Sequence, residues 1–160
     1  MQANTIEKQI VLKAGLDRVW RAISDSREFG SWFGMKVSGA FTPGARLTGF
    51  ISPTTVNEEI AAAQKPHEGK AFELVVDRVE PKTLFSFRWH PSAVDPNTDY
   101  SKEPMTLVTF VLKEVEGGVH LTLTESGYEN IPAARRAEAL KMNDGGWTAQ
   151  MGLIEAYLAR

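Results

Sequence analysis

Cysteine is absent from the 160 residues. That excludes disulfide frameworks, thiolate nucleophiles and cysteine-based zinc sites together, and it fits a reducing compartment. Histidine is scarce: His67, His90 and His120 share no helical or strand spacing, so no metal site is expected. Asp95 and Asp99 lack the glycine and the terminal glutamate of a calcium loop. No apolar run nears the ~18 residues of a membrane span, and the N-terminal MQANTIEKQI carries no apolar signal core. We therefore expect a cytoplasmic protein that neither crosses nor lies on a membrane. Neither sign of charge dominates. The net charge is -2, the isoelectric point is near 5.9, and no basic block offers a nucleic-acid surface. There is no Gly-x-Ser-x-Gly elbow, phosphate loop or dinucleotide fingerprint, so no cofactor is expected.

What is present suits one globular domain over residues 1–160. Hydrophobic residues make up 42% and charged residues 24%, enough for a core without metals or disulfides. Residues 5–13 alternate loosely and read as a strand. Leu16, Val19, Trp20 and Ile23 then mark one face of a short helix. Asp25, three residues before Glu28, resembles a capping box opening a second short helix with Phe29, Trp32 and Phe33, which Gly34 ends.

From there to Ser126 the period falls to two. Strands are expected over 35–41, 45–51, 71–79, 83–90, 105–113 and 119–126, with turns at Thr42-Pro43-Gly44 and Glu116-Gly117-Gly118. Strands in succession without helical crossovers predict an antiparallel sheet. The long segment 52–69 separates two of them, with a helix candidate over 56–64 capped by Thr55. From about Pro132 to Ala159 the chain is helical, with Trp147, Met151, Ile154 and Leu158 on one stripe. Asn143-Asp144-Gly145-Gly146 is a weak point in it, at ~1 kcal/mol per glycine relative to alanine. We expect one helix there, bent at most. The fold class is thus α+β: a curved antiparallel sheet, two short helices and a long C-terminal helix.

Several segments carry a resemblance. VLKAGLDRVWRAISDSREFGSWFG (11–34), FTPGARLTGF (41–50), GGVHLTLTESGYENIP (117–132) and GGWTAQMGLIEAYLAR (145–160) resemble, in order, the activator of heat-shock protein 90 ATPase homologue family. The likeness spans nearly the whole chain. It implies the helix-grip fold of the wider SRPBCC, START-like and birch-pollen-allergen-like superfamily, whose members bind hydrophobic ligands. Two departures stand out: Glu125 occupies a place where the family commonly has histidine, and segment 52–69 is long, suggesting a private lid or contact surface. The family's eukaryotic co-chaperone binds the chaperone through an additional N-terminal domain, and no counterpart of that domain is expected here. The resemblance alone therefore does not carry chaperone activation over.

The candidate site follows from phase and resemblance together. Phe85, Phe87 and Trp89 share one strand face, opposite Ser86, Arg88 and His90. The aromatic face should turn inward toward Trp147, Met151 and Ile154, either as walls of a ligand cavity or as a filled core. Glu125 continues the inward phase of Val119, Leu121 and Leu123. There it would be desolvated, paired with a cation, or wet at an open strand end. Tyr128 and Trp32 belong to the rim or to the core. The implied function is binding of a small apolar or amphipathic molecule, in a stress-related setting. The alternatives are an interaction module or homodimer, and a cyclase- or hydrolase-like enzyme using Glu125 with Tyr128 or Arg88.

Overall fold

A computed structural model describes residues 4–93 and 97–160. Asp95, weighed above against a calcium loop, lies outside the described residues. Strand β1 (Ile6–Leu12) leads into helices α1 (Leu16–Ser24) and α2 (Ser26–Phe33). Strands β2 (Met35–Val37) and β3 (Arg46–Ile51) precede helix α3 (Glu58–Gln64). Strands β4 (Ala71–Glu80), β5 (Leu84–Trp89), β6 (Thr106–Val115) and β7 (Gly118–Ser126) follow, and helix α4 (Ala133–Leu158) closes the chain. The strands form one sheet in the order β1-β7-β6-β5-β4-β3-β2, with every neighbouring pair antiparallel. This is the expected helix-grip arrangement, with α4 packed along the inner face.

Local chemistry sets the boundaries. The Asp25 carboxylate accepts from the backbone N–H groups of Arg27 (2.9 Å) and Glu28 (3.1 Å), satisfying two orphan donors of α2. Gly34 ends α2 at φ 101°, where a Cβ would be strained. The strand expected over 35–41 ends at Val37, with one further bond from Ser38 N to Thr48 O (2.9 Å); Phe41 leaves the edge and stacks on Phe85, ring centroids 4.7 Å apart. Helix α3 begins later than expected. Asn57 caps it by accepting from Ile60 N at 2.9 Å, whereas the Thr55 hydroxyl lies 2.7 Å from that of Ser31. Helix α4 runs unbroken through Gly145 and Gly146. Burial of Trp147, Met151, Leu153 and Ile154 on one side outweighs ~1 kcal/mol per glycine.

The space between sheet and helix is occupied by protein. The Phe29 ring, fully buried, touches those of Trp32, Phe33, Phe41, Phe85, Phe87 and Phe110 at centroid distances of 4.8–6.4 Å. Edge-on and tilted contacts of this kind are favourable beyond the area they bury.

Candidate functional site around a buried carboxylate

The pleat of β7 sends Val119, Leu121, Leu123 and Glu125 to the same inner face, and all four are buried. Glu125 has no exposed surface. No cation meets it. Its Oε2 accepts from Trp89 Nε1 (2.8 Å) and Thr106 Oγ1 (2.6 Å). Its Oε1 accepts from Trp147 Nε1 (2.8 Å) and Asn143 Nδ2 (3.0 Å), with the same amide 3.3 Å from Oε2. An indole N–H can only donate, so two of them require an acceptor between them. A carboxylate is suited to that: it accepts at both oxygens and has no donor to misplace. The full donor set offsets much of the cost of burying the group.

A further layer fixes Asn143. Ser92 Oγ donates to Asn143 Oδ1 at 2.6 Å, and Ser92 itself adopts φ 50°, a backbone region sparsely used by residues other than glycine. Arg135 pins the same loop to α4 through Glu103 (2.6 Å) and the Pro91 carbonyl (3.1 Å). The Tyr128 hydroxyl is buried in this neighbourhood. It faces Glu125 and Asn143 but meets neither in hydrogen-bonding geometry. Burial, and then the nearby carboxylate, push its phenol well above the usual tyrosine range.

The donors to Glu125 form a wall. A recess of about 80 Å³ opens beside them, lined by Phe33, Trp89, Asn143, Gly146, Trp147 and Gln150. A second, of about 180 Å³, adjoins it through Phe33, Trp89 and Asn143 and extends to Phe72, His90 and Ser92. The Phe33, Trp89 and Trp147 rings stand 5.8–6.0 Å from one another. Phe33 is held because its carbonyl accepts from Gln150 Nε2 (3.0 Å) and Gln64 Nε2 (3.2 Å), while Thr54 Oγ1 donates to the Trp32 carbonyl (2.8 Å). Segment 52–69 thus braces the end of α2. Two polar atoms beside the recesses are buried without a partner: Gln150 Oε1 and His90 Nδ1. Burial lowers the His90 pKa from its ordinary value, favouring the neutral ring.

The nine sequence candidates separate in space. Trp89 and Trp147 line the recess, and Glu125 lies behind it. Phe85, Phe87, Ile154 and Trp32 lie within the aromatic and aliphatic core, the Trp32 indole N–H donating to the Ala22 carbonyl at 2.9 Å. Met151 is buried in the same cluster, and Tyr128 sits at the corner after β7. Arg88 is on the outer face, paired with Asp77 at 2.9 Å, away from Glu125. Sequence reasoning missed Asn143, Gln150, Thr106 and Phe33 as site residues. Asn143 and Gln150 lie seven residues apart on α4, two turns along one face, and that spacing was the available signal.

The sequence matches the family model described as Activator of Hsp90 ATPase homolog 1-like protein over residues 13–159. The chain belongs to this family. Solved structures share its fold. A protein from Mesorhizobium loti superposes with a TM-score of 0.71 at 23% identity, covering 98% of this chain and 97% of that one. A protein from Arthrobacter aurescens gives 0.72 at 15% identity, with 98% and 87% covered. The Aha1 dimer from Colwellia psychrerythraea, a solution structure, gives 0.67 at 17% identity, with 96% and 95% covered. No curated protein matches the sequence. Among the described residues, no helix is long and apolar enough to cross a membrane, and no group of three or more His, Cys, Asp or Glu could hold a metal ion.

Proposed function

We propose that this family member binds a small, flat, mainly apolar molecule at the rim of the grip, between Trp89, Trp147 and Phe33. The observation that carries the reading is that three of the six residues lining the smaller recess donate to one buried carboxylate. Glu125 in this reading is a positioning residue. It holds both indoles by their N–H edges, leaving ring surface toward the recess. With both oxygens engaged and no solvent access, it is poorly placed to take a substrate proton, which favours binding over proton-transfer catalysis.

Size and polarity narrow the ligand. Recesses of about 80 and 180 Å³ fall below the roughly 300–1,000 Å³ typical of drug-sized ligands. The occupant is therefore of one- or two-ring size rather than a long acyl chain. Gln150 Oε1 lacks a partner, so a ligand carrying one hydroxyl or N–H group gains a hydrogen bond there. The test is a titration of 1-naphthol, naphthalene and palmitate followed by indole and amide NMR resonances. Saturable shifts at Trp89, Trp147 and Gln150 are expected with 1-naphthol, weaker ones with naphthalene, and loss of both in Trp89→Ala. Absence of saturable shifts at these residues with any of the three at millimolar concentration refutes the proposal.

A homodimer is the second reading. Its support is the dimeric solution structure of the Colwellia relative. Light scattering across a concentration series decides it: a mass of one chain at every concentration rejects the dimer.

A further inference from the structure

A larger groove runs between α2 and the edge of the sheet. It measures about 430 Å³ and is formed by Ser26, Arg27, Gly30 and Ser31 of α2, by β2, and by Ser52, Pro53 and Thr55. Its floor is the edge of the sheet, since β2 pairs on one side only, with β3. Ser38 N donates to Thr48 O (2.9 Å) and Ser52 N to Gly34 O (3.0 Å). Bonding residues alternate along an antiparallel strand. Gly34, Lys36 and Ser38 therefore turn their backbone groups to β3, and Met35 and Val37 turn theirs away. The Met35 carbonyl is already covered: a Cβ on Gly30 would lie 2.2 Å from it. The Val37 N–H and C=O are left at the open edge, with no described residue bonding them.

The charges beside this edge have one sign. Arg27 and Lys36 line the groove, both exposed, and neither has an acidic side chain within ion-pair distance among the described residues. The neighbouring acids are committed elsewhere. Asp25 caps α2, and Glu28 is held by Arg18 (2.7 Å) and Arg21 (3.4 Å). Apolar surface between the cations comes from Met35, Val37 and Pro53.

We infer that this groove receives an extended, acidic segment of a partner protein, added to the edge of β2 as a further strand. Each part of the surface has its counterpart in such a segment. The outward N–H and C=O of Val37 bond a main chain, the apolar lining takes alternate side chains, and Arg27 and Lys36 pair with carboxylates flanking them. A free carboxylate or phosphate would satisfy only the last of these. Val37 alone of the three residues of β2 offers both backbone groups, so the main-chain part of the contact is one pair of hydrogen bonds. It is a weak, exchangeable docking site, independent of any ligand at the aromatic recess.

The test uses the full chain, isotope-labelled, titrated with an acetylated, amidated peptide of alternating aspartate and valine and with its lysine–valine counterpart. Saturable amide shifts at Ser31, Lys36 and Val37 are expected with the acidic peptide only, about tenfold weaker at high salt. The charge reversals Arg27→Glu and Lys36→Glu together should abolish them. Val37→Pro should also abolish them while keeping both cations, since proline removes only the outward-facing N–H and is tolerated at a sheet edge. Equal binding of the lysine peptide, or undiminished binding by Val37→Pro, overturns the inference. So does full displacement by acetate or phosphate, which would mark a simple anion site. Shifts that appear on raising protein concentration without peptide would assign the edge to a second copy and overturn it too, as would the absence of shifts at millimolar peptide.

Discussion

Trp147 on α4 donates its indole N–H to Oε1 of Glu125 on β7, at 2.8 Å. The bond ties the long helix to the sheet through a carboxylate that is fully buried in the interface. Trp89 on β5 takes the other oxygen at the same distance. One buried group therefore sets the position of two large rings from two different elements. Both rings would be freer to rotate without it, and the recess they line would lose its shape.

Glu125→Gln tests that role with almost no change in volume. A glutamine must direct its NH2 group toward one oxygen position. At Oε2 it confronts Trp89 Nε1 and at Oε1 Trp147 Nε1, and neither indole can turn to accept. At least one buried donor is left unpaired, costing about 1–3 kcal/mol. Urea denaturation should register this loss, and the indole resonance of one tryptophan should move or broaden. Unchanged stability together with unchanged indole resonances would reject the clamp.

Tyr128→Phe should act in the opposite direction. The hydroxyl is buried and has no hydrogen-bond partner, so removing it forfeits no bond and relieves a desolvated polar group. Stability at neutral pH should stay equal or rise by up to ~1 kcal/mol. The pH dependence follows from the raised phenol pKa. Below the ordinary tyrosine value of 10.0 both folded and unfolded states keep the proton. Above it the unfolded chain ionises first, so native stability falls. The variant lacks this contribution and should lose stability less steeply above pH 10 than the wild type. Parallel curves would contradict the assignment.

Much of this architecture was legible in the sequence because its signals are local. The Asp25 cap, the Gly34 stop, the alternation ending at Glu125 and the Trp147 stripe each rest on spacing within one element. What spacing could not give was partnership across elements. That Phe29 fills the space between sheet and helix depends on the angle at which α2 docks. That Glu125 is met by donors rather than by a cation depends on Asn143, 18 residues away on another element. The shortened β2 escaped notice for a similar reason: Phe41 continues the strand's alternation but gains more by stacking on Phe85.

His90 gives a prediction at acid pH. Its ring nitrogen Nδ1 is buried without a partner, and burial is the main cause of its lowered pKa. Glu73, Glu103 and Asp99 pull the value upward and Arg135 pushes it down, without reversing the direction. Above the ordinary value of 6.5 the ring is neutral in both states. As the pH falls below that value the unfolded chain takes up a proton that the native state resists, so stability declines with pH. His90→Gln keeps a neutral side chain and removes this uptake. Between pH 7 and 5 the wild type should therefore lose stability more steeply than the variant, measured by thermal or urea unfolding. Equal slopes would remove His90 from the pH response.

Gly145 and Gly146 separate helix stability from binding. Both are exposed within α4, and a Cβ built on either meets nothing within 4 Å. Alanine at either position should therefore stabilise the helix by roughly 0.5–1 kcal/mol. Only Gly146 lines the aromatic recess. A methyl group there is added to the lining of a space of about 80 Å³, whereas one on Gly145 is not. Gly145→Ala should raise stability and leave 1-naphthol binding unchanged. Gly146→Ala should raise stability by a similar amount and weaken that binding severalfold, as read from the Trp89 and Trp147 resonances. Identical binding by the two stabilised variants would place the ligand elsewhere, because only one of them alters the recess.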